Sequence, residues 1–169
     1  AEAMGMTLPG NATIDACDKR LGAMGYEAGK AVMEMVKKGI TARDIITEAS
    51  IKNAIITDIA IAGSTNLLLH LPAIAHEAGI DRDWWAFFDE MSHKVPWITG
   101  IAPCTKYSFT EWDMAGGMRG TIKTLLPLLD GDCMTVNGHT VRENVENAVI
   151  YNDDVIRTLD NPVMTSSAP

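Results

Sequence analysis

Between Lys19 and Lys38 the apolar residues recur at spacings of three and four, and this period limits most strongly how the chain can fold. These residues are Leu21, Met24, Ala28, Ala31, Val32, Met35 and Val36. The pattern predicts an amphipathic α-helix, which Gly39 is well suited to end. Three glycines lie along the same segment: Gly22, Gly25 and Gly29. Because each glycine costs up to ~1 kcal/mol relative to alanine in a helix interior, we expect a close backbone contact with a neighbour there.

The next segments also favour helices. Thr41 is a suitable N-cap for a short helix through Ile46, and a longer helix begins at Thr47 or Ser50 and is stopped by Gly63. That longer helix carries isoleucines at helical spacing, although a strand over 55–61 remains an alternative because isoleucine also favours strands. Further helices are predicted at 67–78, from Asp81 or Asp83 to Val95, at 110–114 and at 118–126.

The remaining segments predict turns and short β-structure. Residues 1–8 resemble the last turns of a helix that stops at Pro9, and 97–102 resemble a short buried strand. The pair Asn137-Gly138 between two short apolar segments predicts a hairpin with a two-residue type I′ turn. A polar helix is then expected over 142–150, and the last residues, 161–169, predict no closing element. Both ends therefore indicate that the chain comes from a longer protein.

Composition excludes several classes of protein. The chain has 169 residues, 47% hydrophobic and 21% charged, which is typical of a globular protein and too apolar for a disordered one. The net charge of −8 without a basic cluster argues against nucleic-acid binding, and no apolar run is long enough to span a membrane. Three widely spaced cysteines form neither a disulfide framework nor a zinc motif, so we expect a reducing, cytoplasmic environment.

Few residues indicate chemistry by themselves. Cys17-Asp18-Lys19 is more simply interpreted as a helix start with Asp18 as a cap. His70 and His76 are six residues apart, which misses the spacing of two metal ligands on one helix face, so His70 is either a core residue or the wall of a pocket. No metal ligand and no catalytic residue is predicted in this chain.

The most informative local feature is Gly63 followed by Ser64, Thr65 and Asn66 at the start of a helix. Free backbone N–H groups and the positive end of the helix dipole form a suitable site for an anion such as a carboxylate. The alternative is a helix cap with no ligand. We therefore take these three polar residues, together with His70, as candidate substrate-binding residues.

Several stretches, in this order, carry a resemblance to a known family: 1–10, 63–71, 94–96, 102–103, 115–117 and 134–144. They resemble the family that contains the dihydroxy-acid, 6-phosphogluconate and sugar-acid dehydratases. The sequence of 67–76 is most similar to the sugar-acid (xylonate-type) branch. The resemblance implies an α/β protein. Residues 1–126 would form the C-terminal part of a helix-rich α/β/α domain, and residues 127–169 a linker, a hairpin and the start of a β-rich second domain.

The resemblance also implies a reaction and its cofactors. Such enzymes are hydro-lyases that remove water from a 2,3-dihydroxy acid to give a 2-keto-3-deoxy acid, with an iron–sulfur cluster and Mg²⁺. The family's cluster ligands lie before the region that resembles 1–10, and its serine base and one glutamate ligand lie beyond residue 169. Cys17-Asp18-Lys19 matches a family motif only by chance, since it follows the Leu8-Pro9-Gly10 landmark instead of preceding it. Cys104 stands where the family commonly has serine or alanine.

Two functions follow as expectations. The chain is the central portion of a dehydratase acting on a small sugar acid or dihydroxy acid, inactive alone and assembled as a homo-oligomer. The alternative is a non-catalytic remnant of the same fold that binds a small anion or a partner.

Overall fold

The computed structural model describes residues 1–166 and is dominated by helices. The α-helices are α1 (Arg20–Lys38), α2 (Ala42–Ile45), α3 (Glu48–Ala60), α4 (Leu67–Glu77), α5 (Trp84–Lys94), α6 (Phe109–Ala115), α7 (Gly117–Leu125) and α8 (Val141–Val145). A 3₁₀ turn, Leu126–Leu128, follows α7. Of the tail predicted to lack a closing element, residues 167–169 lie outside the described part.

The centre of the fold is α3, because most of its circumference is buried. Its buried residues include Ile51, Ile55 and Ile59, and it contacts α4 and α5. Because α3 extends to Ala60, the alternative strand over 55–61 is excluded. Thr47 begins the helix by accepting a hydrogen bond from the Ser50 N–H at 3.2 Å.

Most predicted helix starts are confirmed. Thr41 caps α2, and Asp83 caps α5 by accepting the Ala86 N–H at 3.0 Å. Gly39 ends α1 in the left-handed conformation with φ 67°. The Asp18 carboxylate accepts the Arg20 N–H at 2.7 Å, in agreement with its structural interpretation.

Four local predictions are wrong. Residues 1–8 form turns instead of a helix, although the Gly5 N–H to Glu2 and Met6 N–H to Ala1 bonds are those of a Schellman helix end. In place of a strand at 97–102 there are isolated bridges, Trp97 to Met164 and Thr99 to Ile156. The helix predicted over 142–150 is limited to α8.

The fourth wrong prediction is the hairpin turn. The Thr135 N–H bonds to the His139 carbonyl at 3.0 Å, and the Gly138 N–H returns to the Thr135 carbonyl at 2.9 Å. Only Gly138 of the turn has a positive φ, at 82°. The loop therefore has three residues, a type I turn followed by a left-handed glycine, and not the two-residue type I′ form.

Residues after the 3₁₀ turn pack on the helices before it. The Asn53 side chain, buried on α3, donates to the Asp130 carbonyl at 2.8 Å and accepts the Asp130 N–H at 2.8 Å. Farther along, the Arg157 N–H donates to the Ile98 carbonyl at 2.8 Å. In the described part, β-structure consists of three isolated bridges. The helix-rich prediction is thus confirmed, whereas the α/β/α layering, the boundary at 126/127 and the β-rich second domain stay predictions.

Candidate functional site

A cleft of about 480 Å³ lies between the end of α3, the loop 61–66 and α5. Its polar lining comes from Asp58, Thr65, Asp89 and Ser92, and its apolar lining from Ile59, Leu68, Trp85 and Phe88. The cleft includes Thr65, one of the candidate substrate-binding residues predicted from the sequence. It combines apolar walls with a few polar groups, as small-molecule sites do.

Asp58 shapes the loop that borders this cleft. Its carboxylate accepts a hydrogen bond from the Ser64 backbone N–H, and its main-chain carbonyl accepts the Gly63 N–H at 2.8 Å. Ala62, which lies between Asp58 and Gly63 in the chain, adopts the left-handed conformation with φ 49°. Because one residue bonds to the loop through both its main chain and its side chain, the position of Thr65 depends on Asp58.

The Asp58 carboxyl is half-buried, and burial raises its pKa to about 6. The hydrogen bond from the Ser64 N–H and the nearby α-amino group of Ala1 act in the opposite direction but are outweighed. The lining of the cleft therefore contains a carboxyl group that changes charge close to neutral pH.

The three candidate residues of the loop have different roles. Thr65 lines the cleft. The Ser64 hydroxyl accepts the Asn66 N–H at 3.3 Å, and Asn66 precedes α4 without a side-chain cap. The first N–H groups of α4 bond to carbonyls of the loop, for example Leu67 to Ser64 at 3.0 Å. A ligand in the cleft would thus meet the Thr65 side chain before it met the helix N–H groups.

Neither histidine of α4 lines this cleft. His70 is exposed on α4, and His76 lines a different cleft near Arg82. Asp89, Ser92 and Trp85 join the cleft from α5, which sequence reasoning did not predict. For the additional lining residues, the sequence offered one signal of a polar site, Asp58, which interrupts the apolar run 54–63.

A second cleft, of about 450 Å³, lies between α1 and the Gly116-Gly117 turn, but its charged groups already have partners. Asp113 accepts the Thr13 hydroxyl at 2.7 Å and pairs with Arg20 at 2.6 Å. These contacts fasten α1 to α6.

The described residues offer no cluster of ligands for a metal. Within residues 1–166, no group of three or more His, Cys, Asp or Glu side chains is placed to hold an ion. Cys17 and Cys104 are exposed. For Cys133, burial and then the charge of Asp130 raise the thiol pKa to about 11, which disfavours the thiolate that a metal requires. No helix of the described part has the length and apolar composition needed to cross a bilayer.

Comparison with known proteins gives a consistent match. Residues 1–144 match the family model "Dihydroxy-acid/6-phosphogluconate dehydratase N-terminal". A dihydroxy-acid dehydratase of Clostridium novyi is 45% identical over 164 residues, which is 96% of this chain and 29% of that protein. The corresponding protein of Agathobacter rectalis is 47% identical over 163 residues, or 95% of this chain and 29% of the relative. The chain thus spans less than a third of the length of these relatives.

Proposed function

Because the chain belongs to the dihydroxy-acid/6-phosphogluconate dehydratase family, we propose that it contributes a substrate-lining part of a hydro-lyase. The substrate would be a small 2,3-dihydroxy acid, and the product a 2-keto-3-deoxy acid. Within that class we propose a sugar acid, which has a chain of several hydroxyl groups.

The observation that supports this substrate is the polar lining of the cleft. Two carboxyl groups, of Asp58 and Asp89, and two hydroxyl groups, of Thr65 and Ser92, line the same space as the Trp85 and Phe88 rings. Carboxylate oxygens accept hydrogen bonds from hydroxyl groups but repel another carboxylate. A polyhydroxyl chain therefore suits this cleft better than the acidic end of the substrate does, and the aromatic rings provide apolar surface for its C–H groups.

The residues of this chain bind and orient in this proposal and perform no chemical step. In the family, an iron–sulfur cluster and Mg²⁺ supply the Lewis acids of the dehydration. The described residues do not form a ligand set for either group. The chain would hold the hydroxyl groups of the substrate at Thr65 and exclude water with Leu68 and Trp85.

Ligand binding to the chain itself tests this role. We would titrate D-xylonate into the isotopically labelled protein and follow amide and indole signals by NMR. Shifts at Thr65, Asp58 and the Trp85 indole are expected, and Thr65→Ala should weaken binding severalfold while the melting temperature hardly changes, since Thr65 caps no helix. Thr110→Ala, a change at an exposed threonine, is the control. Shifts confined to other surfaces would contradict the proposed site.

Two further properties are proposed. The unpaired cysteines favour a cytoplasmic location. The exposed apolar residues favour a homo-oligomer, because contiguous apolar surface promotes association.

A further inference from the structure

The turn between Thr135 and His139 contains the only Asn-Gly pair of the sequence, Asn137-Gly138. In such a pair the main-chain nitrogen of the glycine can attack the amide carbon of the asparagine side chain, because glycine has no Cβ atom to obstruct the approach. Every other asparagine of the chain precedes a residue that carries a side chain. Asn137 is therefore the asparagine whose amide is chemically most reactive in this sequence.

We propose that Asn137 is a deamidation site, and that hydrogen bonds from Thr135 and Asn144 limit its reaction in the folded protein. In the reaction the Gly138 nitrogen bonds to Cγ of Asn137 and loses its proton to water. The bond between Cγ and Nδ2 breaks, and Nδ2 takes up a proton and leaves as ammonia. Water then opens the cyclic imide at one of its two carbonyls, which gives aspartate or isoaspartate. One water molecule is consumed and one ammonia molecule is released.

The Asn137 amide is held at both of its polar atoms. The Thr135 hydroxyl donates to Oδ1 of Asn137 at 2.7 Å, and Nδ2 of Asn137 donates to Oδ1 of Asn144 at 2.7 Å. Nδ2 of Asn144 donates to the Thr135 hydroxyl at 2.9 Å, which closes a ring of three side chains. When Cγ becomes tetrahedral, Oδ1 and Nδ2 of Asn137 must move from these partners. The ring of hydrogen bonds therefore opposes the attack.

The attacking nitrogen is held as well. The Gly138 N–H donates to the Thr135 carbonyl at 2.9 Å, so the proton that must be lost is bonded within the turn. One contact acts in the opposite direction. The His139 N–H donates to Oδ1 of Asn137 at 3.1 Å and would stabilise the negative charge that develops on this oxygen. The folded turn therefore slows the reaction without removing its chemistry.

Deamidation would break a contact that the product cannot remake. An ionised aspartate only accepts hydrogen bonds, and the atom that faces it, Oδ1 of Asn144, also only accepts. Asn144 lies on α8, and the Val136 N–H of the same turn donates to the Gly5 carbonyl at 2.9 Å. The turn thus fastens both α8 and the N-terminal segment 1–10. The modified protein should hold both segments less firmly.

Mass spectrometry of aged protein tests the site. Residues 124–142 form one tryptic peptide, and its single asparagine is Asn137, so replacement of the amide NH₂ by a hydroxyl group in this peptide reports the reaction. In urea, Asn137 should convert faster than every other asparagine of the chain. Gly138→Ala should slow the conversion severalfold in urea, where the turn conformation no longer matters. Conversion of Asn137 no faster than that of the other asparagines would overturn the proposal.

The limiting role of the hydrogen bonds is tested under native conditions. Asn144→Ala and, independently, Thr135→Val should each accelerate deamidation of the folded protein by roughly two- to tenfold, the effect of losing one hydrogen bond. Asn147→Ala, at an exposed residue of the next loop, is the matched control and should leave the rate unchanged. If neither Asn144→Ala nor Thr135→Val accelerated the reaction, the proposed restraint would be wrong.

A destabilised variant separates local opening from global unfolding. Asn53→Ala removes hydrogen bonds to Asp130 and leaves the ring at Asn137 intact. It should not accelerate deamidation, and acceleration equal to that of Asn144→Ala would show that only global unfolding exposes the site. Asn137→Asp imitates one product and should lower the melting temperature. An unchanged melting temperature would contradict the role of this turn in fastening α8 and 1–10.

Discussion

The carboxylate of Asp58 occupies the space that a side chain at Gly63 would need. A Cβ atom built on Gly63 would overlap Oδ1 of Asp58 and would lie 3.1 Å from its carbonyl oxygen. Glycine is therefore required here by a close approach and not by an unusual φ. The conformation of the loop beside the cleft depends on this pair.

Gly63→Ala should destabilise the protein by about 1–3 kcal/mol, because the added methyl group forces Asp58 to move from a packed position. Urea unfolding followed by circular dichroism measures the change. Gly22→Ala is the matched control, since a Cβ there meets nothing within 4 Å and alanine favours a helix. Equal effects of the two substitutions would show that Asp58 does not fill this space.

Asp58→Asn should change the pH dependence of stability. The folded state raises the pKa of this carboxyl from 3.8 to about 6, so the folded protein binds its proton more tightly than the unfolded chain does. Ionisation of Asp58 therefore lowers the free energy of unfolding progressively as the pH rises from about 4 to 6. Asparagine does not ionise, so the variant does not lose this stability.

After allowance for the exposed part of the carboxyl group, the variant should gain on the order of 1 kcal/mol relative to wild type between pH 4 and pH 7.5. Melting temperatures of both proteins across this range give the comparison. A difference that does not vary with pH would mean that the Asp58 pKa is ordinary. The amide oxygen of asparagine can still accept the Ser64 N–H, so the loop should keep its conformation.

Asn53→Ala should cost about 2–3 kcal/mol, because it leaves the N–H and carbonyl of Asp130 without their side-chain partner. Asn161→Ala, at an exposed residue, should change stability by less than ~0.5 kcal/mol.

Chemical denaturation with two probes also examines the boundary predicted at 126/127. If residues 127–169 unfolded separately, Asn53→Ala would split the transition instead of shifting one.

The chain by itself should not dehydrate sugar acids after reconstitution with iron, sulfide and Mg²⁺. The reason is that its described residues present no group of ligands for a cluster or an ion. Keto-acid formation measured against a sample without protein tests this. Formation above that background would show that the ligand set is present after all.

Sequence alone determined the helices with strong local signals. The period over 19–38, the caps Thr41, Thr47 and Asp83, and the stop at Gly39 all act within one or two turns, so they are visible without the fold. The family resemblance carried by 1–10 and 63–71 could likewise be recognised from the order of the residues alone, and the family match confirmed it.

The tertiary structure decided what depends on residues distant in the chain. The predicted strand over 97–102 and the two-residue turn at Asn137-Gly138 failed because bridges and turn types depend on what packs against them. Of the candidate residues, sequence could place Thr65 at a helix start but could not bring Asp89 and Trp85 to it. Periodicity predicted one apolar side for α1, but the structure leaves Val32 and Val36 of that set exposed while Leu21 is half-buried, because burial is a property of the packed chain and not of a segment.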